Sequence, residues 1–400
     1  MTVLSIQKLV RRQALPPWQV VIYLVTYAGR GFYAPFVSIY LLSIGFTPVE
    51  IGFLTGVSAL VRLAIVPVYS AWVDRRGIHR KLLTAQLLVT GGATLGMVFF
   101  TQKLWTGAMF MGRDSADIPG AALMGQLSIT GAKERGSSMY GKLRAMGSLG
   151  WAGASFMSGT LIALGGYTLL IVLSGIAYLS VIPFLNTFPE RTAAQNSRVD
   201  VPPKRLPAFW IIMASNLLFY VGMNAMSLFM FVYFKEYLGT DDSMVGVFAA
   251  CLGLFEVPWM LGMNRIYRRV STRNALMIGL AGQALFTLSL AFLTGTTLLF
   301  PLIAMRGFFY AIQNISLTLI VTEISHPANV ATNQAITWVT MPALAAILTG
   351  PLAGWMYENV GPRPLFILAS LVIVVGALIL VVWRRTIDTA RHERLPLHVN

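Results

Sequence analysis

The sequence predicts an all-α membrane protein of twelve transmembrane helices in two pseudo-symmetric six-helix halves. Composition is the first observation behind this: 56% of residues are apolar, 11% are charged, and the mean hydropathy is +0.69. A soluble domain carries about 25% charged residues. The second is length, because a span needs roughly 20 apolar residues and 400 residues hold twelve such stretches with short loops between them. The third is where the charge falls. Of 30 Lys and Arg, 22 lie on one side of the predicted spans: Lys8, Arg11 and Arg12, then Arg75–Lys81, Lys133–Lys142, Arg191–Arg205, Arg265–Arg273 and the tail from Arg384. Lys103, Lys235 and Arg363 take the opposite loops, and Arg30, Arg62, Arg113, Arg144 and Arg306 lie within apolar stretches. By the positive-inside rule this puts both termini in the cytoplasm of a cell-membrane protein. The net charge of +15 is therefore a topology signal and not a nucleic-acid footprint.

The stretches run at about 18–43, 51–72, 82–101, 104–131, 140–162, 166–185, 208–234, 244–263, 274–293, 297–321, 332–356 and 364–383. Trp18, Trp72, Trp105, Trp210, Trp355 and Trp383 fall near their ends, where interfacial indoles belong. Between the sixth and seventh, residues 186–207 hold six charged residues and four prolines, a linker between halves 1–185 and 208–400. The opening residues show no signal-peptide cleavage pattern. Cys251 is the sole cysteine, so no intrachain disulfide forms.

The halves read as repeats. Gly45–Gly52 aligns with Gly239–Gly246 at an offset of 194, and Gly159 and Gly166 align with Gly354 and Gly361 at 195. Internal symmetry of this kind is typical of secondary transporters, whose substrate lies between the repeats.

The loop after the second span reads Ser70-Ala-Trp-Val-Asp74-Arg75-Arg76-Gly77-Ile-His79-Arg80-Lys81. It resembles the G-x-x-x-D-R-x-G-x-[RK]-[RK] signature of the major facilitator superfamily, with Ser70 for the first glycine and the basic pair one residue late. The resemblance implies that Asp74, Arg75, Gly77, Arg80 and Lys81 form the loop that helps switch between inward-facing and outward-facing states. The equivalent second-half loop, Arg265–Arg273, lacks the aspartate. Gly31-Phe-Tyr-Ala-Pro35-Phe36, Tyr140–Trp151 and Gly354–Gly361 are similar to the first, fifth and eleventh helices of the branch that holds the lactose permease, the phenylpropionate permease and the nucleoside–proton symporters.

An ionisable group at the centre of a span costs about 2.5–3.5 kcal/mol on insertion scales and defaults to a functional hypothesis. Arg144, Ser148 and Trp151 share one helical face at i, i+4 and i+7. The resemblance implies that Arg144 holds substrate hydroxyls or a carboxylate while Trp151 offers a stacking face. The alternative is that Arg144 snorkels to the basic interface. Glu256, expected mid-span in the eighth helix, is a candidate partner of Arg144, a candidate proton carrier, or a static buried group. Asp114 and Asp117 in the fourth span are candidates for proton coupling with Arg30 nearby; internal neutralisation with Arg30 and Arg113 is the other reading. Arg306, Gln313 and Asn314 in the tenth span are substrate candidates, against a packing arginine bonded to backbone carbonyls. Arg62 reads as structural.

The branch's fourth-helix sugar carboxylate falls at Gln126, and Phe309 and Ile312 stand near the places of its tenth-helix histidine and glutamate. All four histidines lie in loops or the tail, which excludes an intramembrane histidine relay. Walker-type phosphate loops and Cys/His metal clusters are absent from the sequence, so neither ATP hydrolysis, nor a metal, nor a cofactor, nor an enzyme activity is expected. The expectation is a monomeric carrier in a lipid bilayer. It moves a small organic solute (sugar, nucleoside, or aromatic or organic acid) by proton symport and alternating access. Proton-coupled efflux of amphipathic compounds and a non-transporting sensor on the same fold are the alternatives.

Overall fold

The computed structural model describes residues 17–100, 102–133, 138–188, 205–326 and 329–394. Residues 189–204 of the predicted linker 186–207 and the N-terminal basic cluster lie outside them, as do the side chains of Asp74 and Arg75. The described chain is helical: α1 (Pro17–Tyr33), α2 (Val37–Ser43), α3 (Pro48–Arg76), α4 (His79–Phe99), α5 (Lys103–Lys133), α6 (Ser138–Ser180), α7 (Pro207–Glu236), α8 (Asp242–Leu254), α9 (Val257–Tyr267), α10 (Thr272–Phe292), α11 (Leu299–Ile324), α12 (Val330–Ala335), α13 (Met341–Asn359), α14 (Pro362–Val382) and α15 (Arg384–Arg394).

Among the described residues, ten helical stretches are long and apolar enough to cross a membrane. Two more complete the predicted twelve. Leu143–Thr187 is one stretch of 45 residues by that measure, but its backbone leaves helical geometry at Gly165 and at Gly166, whose φ of 65° is in the left-handed region that glycine tolerates. It is therefore the fifth and sixth spans. α5 is long enough, yet Arg113, Asp114 and Asp117 lower its apolar character.

Two predicted spans are broken where the sequence reading had them continuous. Pro35 separates α1 from α2, and Pro258 follows directly on the break between α8 and α9. Proline has no N–H to give the carbonyl four residues back, so the helix ladder loses a rung there. In the eleventh span a π-turn, Ile336–Thr340, precedes Pro342 and joins α12 to α13.

The exterior is apolar, as a lipid-facing surface requires. On α14, Leu368, Leu371, Val375, Leu378 and Val382 are exposed along one stripe, while Leu365, Ala369, Ile373 and Leu380 are buried on the other. Lipid gives helices no hydrophobic reason to associate, so close packing of small residues must hold them.

The chain forms two compact units. Unit 1 comprises 1–37, 64–197 and 242–250; unit 2 comprises 38–63, 198–241 and 251–400. In unit 1, Ile22, Tyr23, Leu87, Met124, Leu127 and Tyr178 are part of one core. The start of α8 rests on α6: Gly246 meets the Ser155 carbonyl, Gly159 meets Ser243, and Tyr167 donates to Asp242 at 2.6 Å. In unit 2, Gly52 and Gly56 of α3 rest on Gly350, Pro351 and Gly354 of α13, and Glu358 accepts from the Val49 N–H at 3.0 Å. α15, which the sequence showed only as a basic tail, docks on unit 2. Ile387 is fully buried, Arg391 pairs with Glu323 at 2.5 Å, and Arg273 pairs with Asp388 at 3.0 Å.

Gly350 has no room for a side chain, since a Cβ there would strike the Gly52 carbonyl and the Gly56 amide. Gly350→Leu should lower the stability of the purified protein by about 1–3 kcal/mol, the usual cost of overpacking. A thermal melt in detergent with an unchanged midpoint would remove the close α3–α13 approach.

Candidate functional site

Unit 1 buries a knot of charge between α1, α5 and α6. Gly29 lets α1 approach α6 against Ala177 and Tyr178, which carries Arg30 to the level of α5. Arg30 donates to Asp117 Oδ1 from Nε at 3.1 Å and from Nη2 at 2.9 Å, and Nη2 also reaches the Asp117 carbonyl at 2.9 Å. The Tyr178 hydroxyl donates to the same Oδ1 at 2.8 Å. Arg113 completes the group, with Nη2 at 3.6 Å from Asp117 Oδ2 and Nη1 at 3.8 Å from Asp114 Oδ1. Its guanidinium lies 3.6 Å from the centre of the Tyr33 ring and donates to the Tyr178 hydroxyl at 3.3 Å. Two guanidiniums thus face two carboxylates, with Asp117 between both arginines. Beside the knot is a cavity of about 10 Å³ lined by Thr26, Arg30, Gln86, Thr90, Asp117 and Tyr178, among others. That volume suits a single water molecule.

The Arg144 stripe lies on α6 in the same unit. Arg144 sits over the Tyr27 ring at 4.8 Å and reaches Ser148 Oγ from Nη1 at 3.4 Å. Arg30 lies over Tyr27 as well, at 5.1 Å, so one ring bridges the stripe and the knot. Gly147 makes this possible: a Cβ there would stand 2.8 Å from the Tyr27 ring. Trp151 gives its indole N–H to the Ala249 carbonyl of α8 at 2.9 Å, which fixes the ring that the resemblance offered as a stacking face.

Of the remaining candidates, Gln126 is an exposed residue of α5 and the switch loop is in unit 1, while the others are in unit 2. Glu256 falls at the break between α8 and α9, not within a continuous span, and acts electrostatically on Arg306. Arg306 lies 5.5 Å from the Phe286 ring and 5.3 Å from the Tyr310 ring. Its Nε has no hydrogen-bond partner among the described residues. Gln313 is 1% exposed and Asn314 part-buried on the same helix. Arg62 is buried in α3. Of the predicted switch loop, Gly77 ends α3 with φ 68°, Arg80 donates to the Asn186 carbonyl at 3.4 Å, and Lys81 is exposed.

The sequence reading named the charges and missed the phenols. Tyr27, Tyr33 and Tyr178 contact every arginine of the unit 1 cluster. Tyr27-x-x-Arg30-x-x-Tyr33 was the available signal, because residues three apart share a helical face.

The family model described as MFS_1 like family matches residues 18–368. A curated protein of Deinococcus radiodurans described as a "Putative sugar efflux transporter" is 24% identical over 383 residues, covering 90% of this chain and 94% of that one. Among solved structures, the nucleoside transporter NupG superposes with a TM-score of 0.74 at 16% identity, covering 90% of this chain and 96% of its own. A D-xylose–proton symporter gives 0.69 at 15% identity, covering 90% and 95%.

Removing the shared carboxylate tests the knot. Asp117→Asn leaves Arg30 and Arg113 buried with Asp114 as the remaining acid of the group, and should cost about 3–5 kcal/mol of stability. Arg30→Met combined with Asp117→Asn should recover part of that loss. Denaturation of the three purified proteins measures both, and a double variant no more stable than Asp117→Asn would mean the pair does not act as a unit.

Proposed function

We propose a function from one premise: the chain belongs to the MFS_1 like family, whose members are membrane transporters and not enzymes. On that footing it is a multi-pass carrier that moves a small organic solute (a sugar, a nucleoside, or an aromatic or organic acid) by proton symport. It acts as a monomer in the cell membrane with both termini in the cytoplasm. The observation that carries the reading is the concentration of guanidiniums, carboxylates and phenols inside apolar helices, where each must be justified by partners or by a ligand. Arg144, Ser148, Trp151, Arg30, Gln126, Glu256, Arg306, Gln313 and Asn314 are the candidate substrate contacts. Asp114, Asp117 and Glu256 are the carboxyls available for the coupling proton.

Transport proceeds by rocking of two six-helix halves, 1–185 and 208–400. Ser38–Leu63 and Asp242–Ala250 each belong to the compact unit built mainly from the opposite half of the sequence. Their glycine-to-backbone seams are contacts that rocking would break and remake. Asp74, Arg75, Gly77, Arg80 and Lys81 serve as the switch loop. Export is the second reading for direction, favoured by the similarity to the Deinococcus protein described as a sugar efflux transporter.

Counterflow in proteoliposomes separates a carrier from a sensor, because only a carrier exchanges labelled for unlabelled solute. A stability screen against a ligand panel should show shifts in wild type that are lost in Arg144→Ala; equal shifts in both would displace Arg144 from the site. Uptake driven by an imposed pH gradient should fail in at least one of Glu256→Gln, Asp114→Asn and Asp117→Asn. If all three accumulate solute as wild type does, none of these carboxyls is the coupling group.

A further inference from the structure

In unit 2, α15 lies across the end at which α7 begins and α14 stops, and its two faces differ in what they have to bind. The inner face is committed. Ile387 and Ala390 enter the core with Ala208, Phe209 and Ile212 of α7. Arg391 pairs with Glu323 of α11, and Asp388 is taken by Arg273 of α10. The outer face is uncommitted. Arg384 and Arg385 are exposed, and among the described residues neither forms an ion pair or a hydrogen bond.

Arg385 stands at a cleft of about 330 Å³ between α15 and the start of α7. Leu206, Pro207 and Ala208 form one wall, and Arg385, Thr386 and Thr389 line the other. Arg385 and Thr389 are one helical turn apart, so guanidinium and hydroxyl share a face. The polar side chains of the cleft are thus one base and two hydroxyls, with no acid. That set suits a phosphate, whose oxygens a planar guanidinium meets two at a time. It offers no counter-charge to an ammonium group. Arg205 adds a second guanidinium next to Leu206, lying 5.5 Å from the Phe209 ring and 5.7 Å from the Trp210 ring.

The surroundings put this cleft at the edge of the bilayer. Trp210 and Trp383, both about half exposed, flank it in sequence on α7 and at the end of α14, and exposed indoles at span ends belong to the membrane interface. The exposed apolar stripe of α14 runs through Leu371, Val375 and Leu378 to Val382, which is 73% exposed. It therefore stops three residues short of Arg385. A soluble anion would use the basic wall alone, whereas a phospholipid uses the basic wall and the stripe together.

We propose that the cleft between α15 and the start of α7 binds the headgroup of an anionic glycerophospholipid. Its phosphate meets Arg385, Thr386 and Thr389, and its acyl chains follow the exposed stripe of α14. Basic pockets at the ends of membrane helices favour anionic headgroups on the same grounds. The lipid presses on the outer face of a helix whose inner face ties together α7, α10 and α11, so binding stabilises the fold of unit 2. The inference goes beyond the transport reading and does not depend on which solute is carried.

The test melts the full-length protein in neutral detergent micelles doped with dioleoylphosphatidylglycerol or, at the same mole fraction, dioleoylphosphatidylcholine. Wild type should melt higher with phosphatidylglycerol than with phosphatidylcholine, and the increment should shrink in high salt. Arg385→Gln touches an exposed residue, so its melt without added lipid should match wild type. It should raise the half-saturating mole fraction of phosphatidylglycerol roughly 5-fold, the scale of one basic residue at a membrane surface. Arg385→Lys should recover part of that loss. Lys103→Gln makes the same change of charge on α5 and should leave the response intact. An equal response to the two lipids overturns the proposal. So does an Arg385→Gln protein that titrates like wild type, or a Lys103→Gln protein that loses as much, since net charge alone would then explain the effect. Inorganic phosphate that stabilises wild type as well as phosphatidylglycerol does would make the occupant a soluble anion and overturn the lipid.

Discussion

A guanidinium held between apolar helices must find a counter-charge or hydrogen-bond acceptors close by, and that requirement shapes the interior of both units. In unit 1 it is met locally. Asp117 takes Arg30, Arg113 and the Tyr178 hydroxyl, and Asp114 takes the other side of Arg113. Removing any one member strands another, which is why such groups behave as a block. The helices that supply them are fixed in turn: α1 must approach α6 closely enough for Tyr178 to reach Asp117, and Gly29 provides the clearance. In unit 2 Arg306 lies against the Tyr310 and Phe286 rings, and Glu256 stands at a helix break.

The second constraint is steric. In a bilayer, helix association depends on how closely backbones approach, and the repeat seen in the sequence marks where they do. Gly52 and Gly246, equivalent by offset, each rest on a neighbouring backbone: Gly52 on Gly350 in unit 2, Gly246 on Ser155 in unit 1. Gly354 and Gly159, equivalent by the other offset, lie on the opposite sides of the same seams. The weak identity between halves survives at these positions because a Cβ at any of them would strike a neighbouring residue.

Most of the fold was legible for a simple reason. Spans are set by hydropathy over about 20 residues, a property of composition that does not depend on tertiary contacts. Helix breaks depend on single residues, and there the reading fell short. Pro35 and Pro258 lie inside runs that hydropathy treats as continuous, so Glu256 was placed mid-helix when it stands at a break. α15 escaped for the opposite reason: Arg384–Arg394 is polar, and only its tertiary contacts, Arg391 with Glu323 and Ile387 in the core, give it a place.

The candidate site was legible in its charges and not in its geometry, and the tryptophan shows why. Helical spacing correctly put Arg144, Ser148 and Trp151 on one face, and the Arg144–Ser148 contact follows from that spacing. Spacing says nothing about which neighbour the face meets. The Trp151 indole is tied to the Ala249 carbonyl, a residue 98 positions away, through a segment of α8 that sequence order assigns to the other half. Gln313 was named from its place in an apolar span, but its burial and its unmatched amide are seen only in the structure. A buried amide with nothing to bond is costlier than an apolar residue of the same shape.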